Sequence, residues 1–362
     1  MRSFFSKYRI YRKISRFLTM WKTQVVLPVP LVIPVFIPHE GCPHCCVFCN
    51  QRRISGFTKK SVTAKDVRAT VQTWLERKGL DKRKVQVAFY GGSFTGLPQV
   101  RQKELLGAVA PFLEQGRVQS LRLSTRPDYI DQERMELLGR YQVSTVELGV
   151  QSMNDWVLGL AKRGHSAADV AQAVLVLRQA GMEVGIQLLL GLSGDTRTSL
   201  RRTVEQVIAL QPDFVRIYPL LVVQHSELAE QYKRGEYTPL TLDKAVVLAA
   251  WMKQRFDQAG IRVVRMGLQA GSELESSLLA GPWHPAFGEL VASRLMLRQM
   301  RKLLYQIPSE STIYLSINER DQSVFRGMKS ANVKRLQQRG LWQRIVLNTD
   351  SALPRGTVRL LS

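Results

Sequence analysis

Strand and helix patterns alternate along most of this 362-residue chain, and this alternation limits the possible folds more than any other feature. Runs rich in β-branched and apolar residues predict six strands, at 31–37, 84–90, 120–125, 144–150, 183–191 and 213–220. A seventh run of this kind lies at 261–268. Helical patterns open at Thr63, Ser166 and Asp195, of which Ser166 and Asp195 are predicted N-caps. Such alternation is typical of right-handed βαβ units and a parallel sheet.

Polar or glycine-rich segments follow or close all six predicted strands. In chain order they are the cysteine loop at 42–49, GGSFTG at 91–96, TRPDY at 125–129, ELGVQS at 147–152, GLSGD at 191–195 and YPLLVV at 218–223. Since parallel strands end at one edge of a sheet, these segments are predicted to share one mouth, as in a (β/α) barrel. The predicted fold class is therefore α/β, a partial (β/α)6 TIM-like barrel with a small C-terminal α+β extension.

The composition changes at both ends of the predicted barrel. We predict a basic N-terminal arm at 1–30, for which an organelle transit segment is the alternative, then the barrel at 31–275 and a small basic domain at 276–362. Because the cysteines are confined to one loop, a reducing cytoplasmic location is expected. No membrane span is expected, since the apolar run at 25–38 is short and contains four prolines.

All four cysteines lie within eight positions, at Cys42, Cys45, Cys46 and Cys49. The C-x3-C-x2-C spacing of Cys42, Cys46 and Cys49 suits three irons of a [4Fe–4S] cluster and leaves the fourth iron open. Zinc is the alternative, although structural zinc sites usually combine two separated ligand pairs. Cys45 is predicted to be a small apolar neighbour of the cluster and not a ligand.

Two other segments are suited to a ligand at the mouth. Gly91 and Gly92 let the backbone approach a ligand closely and tolerate positive φ. Side chains alternate along a strand, so Glu147, Gly149 and Gln151 are predicted to point together into the barrel. A buried carboxylate needs a polar partner, which favours a bound ligand; a solvated glutamate at the strand end is the alternative.

The cysteine loop after the first strand and the glycine pair after the second resemble the radical S-adenosylmethionine (SAM) superfamily. The resemblance implies that Cys42, Cys46 and Cys49 hold a [4Fe–4S] cluster whose open iron binds SAM, from which a 5′-deoxyadenosyl radical is generated. It also implies a set of SAM contacts: Phe48 beside the adenine, Gly91, Gly92 and Ser93 at the methionine amino group, Glu147 and Gln151 at the ribose or methionine, and Gly191 on the adenine side.

Longer sequence segments, among them FYGGSFTG, STRPDYID, VELGVQS and RGHS, resemble segments of the catalytic subunit of the Elongator tRNA-modifying complex and of its short bacterial relatives. This resemblance covers about residues 31–270. It implies a wobble uridine of tRNA as the substrate, with Arg126, Lys162 and Arg163 lining the site or its RNA-facing rim. The formal net charge of +23 fits a nucleic-acid partner. An electron donor is a further expected partner.

The chain departs from the Elongator subunit where the acetyltransferase domain of that protein would begin. A separate acyl-donor protein, or a different radical reaction, is therefore expected. Two alternatives remain: an enzyme like oxygen-independent coproporphyrinogen oxidase acting on a small molecule, a group that typically has cysteine at the position of Gln51, and a non-catalytic RNA-binding iron–sulfur protein. His165 and His225 are predicted near the mouth, and Tyr90 is predicted either to relay hydrogen or to pack.

Overall fold

The computed structural model describes residues 30–37, 40–50, 61–77, 83–269, 271–305, 307 and 311–361. Within these residues, seven parallel strands form one curled sheet whose spatial order follows the chain. The strands are β1 (Leu31–Phe36), β2 (Val85–Tyr90), β3 (Ser120–Thr125), β4 (Val143–Gln151), β5 (Glu183–Leu190), β6 (Phe214–Pro219) and β8 (Arg262–Met266). A short strand, β7 (Val222–Val223), lies between β6 and β8 in the chain and is not part of this sheet. The two edge strands do not pair in the described residues, so the predicted partial barrel is confirmed. The predicted seventh run forms its last strand.

Helices connect successive strands of this sheet. They are α1 (Ala64–Leu75), α2 (Gln99–Gly107), α3 (Ala110–Glu114), α4 (Gln132–Arg140), α5 (Asp155–Leu160), α6 (Ala167–Gln179), α7 (Arg197–Leu210), α8 (Glu227–Lys233) and α9 (Leu242–Gln258). Apolar side chains of the strands and helices form one continuous buried core between the two layers. One close approach depends on glycine, because a Cβ at Gly185 on β5 would collide with the Phe214 ring.

The helix starts are set by side-chain caps. Thr63 and Ser166 each accept a backbone N–H and form capping boxes at the starts of α1 and α6, as the sequence pattern indicated. The prediction that Asp195 is an N-cap is wrong by one residue. Thr196 caps α7 by accepting from the Ser199 N–H, while the Asp195 carboxylate accepts the Ser199 hydroxyl. Asp195 therefore braces the first turn without capping it.

The C-terminal part is the predicted α+β extension. After α10 (Ser272–Ser277) and β9 (Leu278–Ala280), which pairs with β7, it contains α11 (Phe287–Leu304), β10 (Ile313–Ile317), α12 (Gln322–Arg326), α13 (Ala331–Gln337), β11 (Ile345–Thr349) and β12 (Val358–Leu360). β10 is the central strand of a three-stranded sheet, parallel to β11 and antiparallel to β12.

Helix α11 joins the two parts of the molecule. Phe287 and Val291 belong to the barrel core, whereas Leu297, Met300 and Leu304 belong to a second core beneath the small sheet. The limits given to the three domains stay a prediction. Of the predicted arm at 1–30, residues 1–29 lie outside the described residues. Among the described helices, none has both the length and the hydropathy of a membrane span.

Candidate functional site

The cysteine loop crosses the mouth of the barrel, defined by the carboxyl ends of β1 to β6. The Val47 N–H donates to the Ala161 carbonyl at 3.3 Å, and the Val47 carbonyl accepts from the Leu228 N–H at 2.7 Å. Farther along, the Asn50 side-chain amide donates to the Gln224 carbonyl at 2.9 Å. These bonds tie a loop that follows β1 to segments that follow β4 and β6. The cysteines are thereby held at the shared mouth.

The thiols of this loop differ in exposure. Cys42 and Cys45 are exposed, Cys49 is half-buried, and Cys46 is buried. The Cys46 Sγ accepts a hydrogen bond from Arg163 Nη1 at 3.2 Å. Among the described residues, no three side chains of His, Cys, Asp or Glu are gathered in the way that a single bound metal ion requires.

Arg163 connects the cysteine loop to the end of β4. Its Nη2 donates to the Gly149 carbonyl at 2.6 Å, and its buried Nε has no hydrogen-bond partner in the described part of the chain. Arg126 lies on the same side of the mouth, and its guanidinium bonds both carboxylate oxygens of Asp128, at 3.0 and 2.8 Å. Burial raises the pKa of the Cys42 thiol above its ordinary value, and the positive charges of Arg163 and Arg126 offset only part of this increase.

The glycine motif supports the start of the cysteine loop. Gly91 has φ of +95°, and a Cβ at Gly92 would collide with the carbonyl oxygens of Glu40 and Ile37. The Ser93 N–H donates to the Glu40 carbonyl at 3.0 Å. Only glycine allows this backbone-to-backbone packing. The motif therefore sets the position of the chain that leads into Cys42.

The Ser93 hydroxyl contacts the end of β3. It lies 2.9 Å from the Thr125 hydroxyl and accepts the Arg126 N–H at 3.3 Å, and the whole residue is buried. Its side chain joins the ends of β2 and β3. The predicted contact of Gly91, Gly92 and Ser93 with the methionine amino group stays a prediction.

Glu147 is the centre of a buried polar network inside the barrel. Its Oε1 accepts from Tyr90 Oη at 3.0 Å, Arg122 Nη1 at 3.0 Å and Arg216 Nη2 at 2.8 Å. Its Oε2 accepts from Gln187 Nε2 at 2.9 Å and lies 2.7 Å from Arg216 Nε. These five residues come from the adjacent strands β2 to β6. The alternative of a solvated glutamate is therefore wrong.

The charges of this network explain its ionisation. Burial alone would raise the pKa of Glu147, but the guanidiniums of Arg216 and Arg122 outweigh burial, and the pKa ends below its ordinary value. Burial and then the neighbouring Glu147 carboxylate raise the pKa of Tyr90. Glu147 is thus a carboxylate and Tyr90 a neutral hydrogen-bond donor. The predicted contact of Glu147 with SAM stays a prediction.

The end of β4 has an irregular backbone. Pairing with β5 shifts between Gly149 and Gln151, and Gln151 has φ of +67°. A Cβ at Gly149 would lie 3.1 Å from Gln151 Nε2, so the amide folds back over Gly149. His165 is buried beside this turn, with Nε2 3.2 Å from the Val150 carbonyl and Nδ1 unpartnered among the described residues.

The ionisation of His165 follows from its surroundings. Burial, together with the charges of Arg163 and Arg126, lowers the pKa of His165 to about 4. The imidazole is therefore neutral near pH 7. Arg163 and His165 together fix the two carbonyls that precede Gln151, which is how the chain holds a non-glycine residue at positive φ.

The remaining predicted residues lie in the segments that follow β1, β4 and β5. Phe48 packs against a buried apolar cluster that includes Leu192, just after β5. Gly191 has φ of +97° and its carbonyl accepts from Tyr237 Oη at 2.7 Å. Lys162 is on the surface and pairs with Glu227 at 2.6 Å. Phe48 and Gly191 therefore both contact this apolar cluster, Gly191 through Tyr237.

Sequence reasoning overlooked Arg122, Gln187 and Arg216, and it gave His165 and His225 equal weight. His225 is exposed, whereas His165 is buried. Each of the three overlooked residues is a polar position with an apolar neighbour on both sides in its strand. Period-two patterning could have placed them inside the barrel.

Comparison with known proteins identifies the family. The sequence profile described as the Radical SAM superfamily matches residues 36–207, and the profile described as the Radical_SAM C-terminal domain matches residues 212–296. The chain belongs to the radical SAM superfamily.

Relatives within this superfamily include tRNA-modifying proteins. The protein MJ0486 of Methanocaldococcus jannaschii is 29% identical over 67% of this chain and 74% of its own length. The tRNA uridine(34) acetyltransferase of the same organism is 28% identical over 61% of this chain but only 48% of its own length. This radical SAM chain thus spans about half of that acetyltransferase.

A solved structure supports the radical SAM fold. The archaeal Elp3 of Methanocaldococcus infernus, with an N-terminal deletion, superimposes with a TM-score of 0.61 at 24% identity, over 75% of this chain and 64% of that chain. The similarity establishes that the two proteins share the radical SAM barrel.

Proposed function

We propose that this chain is a radical SAM enzyme that modifies tRNA at a uridine of the anticodon loop. The observation that carries the proposal is the 28% identity to a tRNA uridine(34) acetyltransferase across the barrel. The site supports it, because the cysteine loop, the glycine motif and the end of β4 meet at one mouth. The strongly basic composition also fits an RNA substrate, since each neutralised phosphate adds salt-dependent affinity.

Cys42, Cys46 and Cys49 would hold a [4Fe–4S] cluster. A cluster distributes its thiolate ligands over separate irons, so the thiols need not converge on one point. The surroundings suit an anionic group, because Arg163 already donates to Cys46 and the positive charges of Arg163 and Arg126 act on Cys42 against the effect of burial, which raises its pKa. With SAM, such a cluster supplies a 5′-deoxyadenosyl radical that abstracts hydrogen from a substrate.

The unpaired donor of Arg163 supports a cofactor beside the cysteine loop. A buried N–H without a partner costs about 1–3 kcal/mol, and the Arg163 Nε is in this state among the described residues. The carboxylate of SAM would satisfy it. Phe48 and the backbone around Gly191 would flank the adenine across the mouth. The network around Glu147 would keep the floor of this pocket polar and ordered.

The anticodon loop suits this mouth because its bases are unstacked and can be splayed into a pocket. Lys162 on the rim would contact the RNA backbone, and its surface pair with Glu227 is weak enough to be exchanged for phosphate.

The proposal is tested by comparing tRNA nucleosides from cells with and without the gene. We expect one modified uridine to disappear in the deletion strain and to return with the wild-type gene but not with a Cys46→Ala variant. Unchanged tRNA nucleosides, together with accumulation of a porphyrinogen, would instead support the coproporphyrinogen oxidase-like alternative.

A further inference from the structure

One surface of the C-terminal extension concentrates arginines. We call it the arginine face, and it consists of Arg294, Arg298, Arg301, Tyr305, Arg335 and Arg339. The first four lie on α11 and its C-cap at spacings of four, seven and eleven residues, which places them on one side of the helix. Leu297, Met300 and Leu304 of the same helix are buried in the second core. The arginines therefore lie on a different side of the helix from these core residues.

Helix α13 adds to the same face. The charge of Arg335, on α13, acts on Arg294 of α11. Arg339, just after α13, donates to Tyr305 Oη at 3.4 Å, and so does Arg301 from the other helix. Tyr305 is 72% exposed, with the Arg301 guanidinium 5.9 Å from its ring centroid. Two helices thus surround an exposed aromatic ring with guanidiniums.

The charge of the arginine face is not neutralised. None of its five arginines forms an ion pair with a carboxylate of the described residues. Burial, followed by repulsion from Arg298, Arg335 and Arg301, lowers the pKa of Arg294. The Nε atoms of Arg294 and Arg301 are buried and have no hydrogen-bond partner among the described residues. Gathering like charges in this way destabilises the folded chain unless an anion binds.

The arginine face begins near the mouth. Phe287, the first residue of α11, packs against Gly267 at the carboxyl end of β8. The carboxylate of Asp243, in the first turn of α9, acts on Arg294. From its start, the 18-residue helix is about 27 Å long. An extended polyanion that occupies the mouth could therefore also follow this surface.

We propose that the arginine face is a second RNA-binding surface, which holds the phosphate backbone of the same tRNA while an unpaired base stacks on Tyr305. Planar guanidiniums match phosphate oxygens in a bidentate way, and an aromatic ring among arginines is the arrangement that single-stranded nucleic acid prefers. The inference rests on the proposed function, since it takes tRNA as the substrate. A membrane surface is the competing occupant, and it is an outcome of the test.

The test measures binding of unmodified tRNA to the full-length protein at several salt concentrations, without SAM or reductant. The triple variant Arg298→Gln, Arg335→Gln and Arg339→Gln removes three charges from the arginine face. The control variant Lys65→Gln, Arg68→Gln and Lys103→Gln removes three charges from exposed positions on or beside α1 and α2. Melting temperatures and circular dichroism verify that both variants fold.

We expect the arginine-face variant to bind tRNA more weakly and to reduce the slope of log K against log salt by about 2–3. The control variant should keep the wild-type slope. Equal slopes for the two triple variants would overturn the proposal. Binding of the wild-type protein to phosphatidylserine vesicles, lost in the arginine-face variant while tRNA affinity is unchanged, would assign the surface to membranes instead.

Tyr305 gives an independent readout. Tyr305→Ala should weaken tRNA binding on the order of tenfold without changing the salt slope, and Tyr305→Phe should retain wild-type affinity. If Tyr305→Phe lost as much as Tyr305→Ala, stacking would be excluded. Failure of the wild-type protein to bind tRNA would contradict the proposed function itself, whereas wild-type-like binding by the arginine-face variant would contradict only this inference.

Discussion

Arg163 Nη1 lies 3.2 Å from Cys46 Sγ, although 117 residues separate the two in the chain. The same guanidinium bonds the Gly149 carbonyl at 2.6 Å. One side chain therefore connects the cysteine loop that follows β1 with the last residues of β4. The loop has no helix or strand of its own around the cysteines, so its position over the mouth depends on contacts of this kind.

The Arg163 contact should influence the reduction potential of a reconstituted cluster. An N–H···S bond stabilises the more negative, reduced state, so Arg163→Gln is expected to lower the midpoint potential on the order of 50 mV. An anaerobic redox titration followed by electron paramagnetic resonance measures this. Lys162→Gln is the matched control, because Lys162 pairs with Glu227 at the surface. The same potential in both variants and in the wild type would refute the assignment.

Loss of the Glu147 carboxylate should strongly destabilise the barrel. Glu147→Gln leaves the guanidiniums of Arg122 and Arg216 buried with an uncompensated charge, which typically costs about 3–5 kcal/mol. Urea unfolding measures the free energy. Glu183→Gln is the control, since its side chain is 34% exposed and pairs only at longer distances with Arg122 and Arg262. If Glu147→Gln lowered the free energy of unfolding by less than about 1 kcal/mol, the buried network around Glu147 would not stabilise the barrel as described.

His165 should make stability depend on acid pH. Its pKa is lowered to about 4 in the folded protein, whereas an ordinary histidine titrates near 6.5. Between these values the unfolded chain binds a proton and the folded chain does not, so stability falls as pH decreases. The full effect is about 3 kcal/mol below pH 4. The stability advantage of wild type over His165→Gln should therefore shrink over this range, and parallel curves would contradict the buried neutral imidazole.

Gly92 should be intolerant of a side chain. Gly92→Ala places a Cβ against the carbonyls of Glu40 and Ile37, and the start of the cysteine loop must move. We expect reduced iron and sulfide content after reconstitution and a lower melting temperature. Gly139→Ala is the control, because it lies in α4 with nothing within 4 Å of the added methyl. Full iron loading in Gly92→Ala would contradict the role of the glycine motif.

The sequence predicted the fold well because the fold depends on local patterns. All seven strand runs lie in the sheet, and Thr63 and Ser166 start helices because short hydroxyl side chains cap them. The prediction for Asp195 was wrong because the neighbouring Thr196 forms a capping box with Ser199, although aspartate is the more favourable cap by residue type.

The polar contacts of the site were less predictable. Period-two patterning correctly turned Glu147 into the barrel, but its partners Arg122 and Arg216 lie on other strands, 25 and 69 residues away. Which side chains meet depends on strand register, and a short pattern does not encode register. The bond between Arg163 and Cys46 depends in the same way on how the cysteine loop crosses the mouth.

The central claim is tested most directly by SAM cleavage in anaerobically reconstituted protein, with dithionite as the reductant and unmodified tRNA as the substrate. We expect release of 5′-deoxyadenosine, stimulated by the tRNA and accompanied by a mass change at an anticodon uridine. Cys46→Ala should abolish both, and Cys45→Ala should largely retain them. No 5′-deoxyadenosine from wild-type protein with a verified iron–sulfur content, or zinc in place of iron and sulfide, would contradict the account.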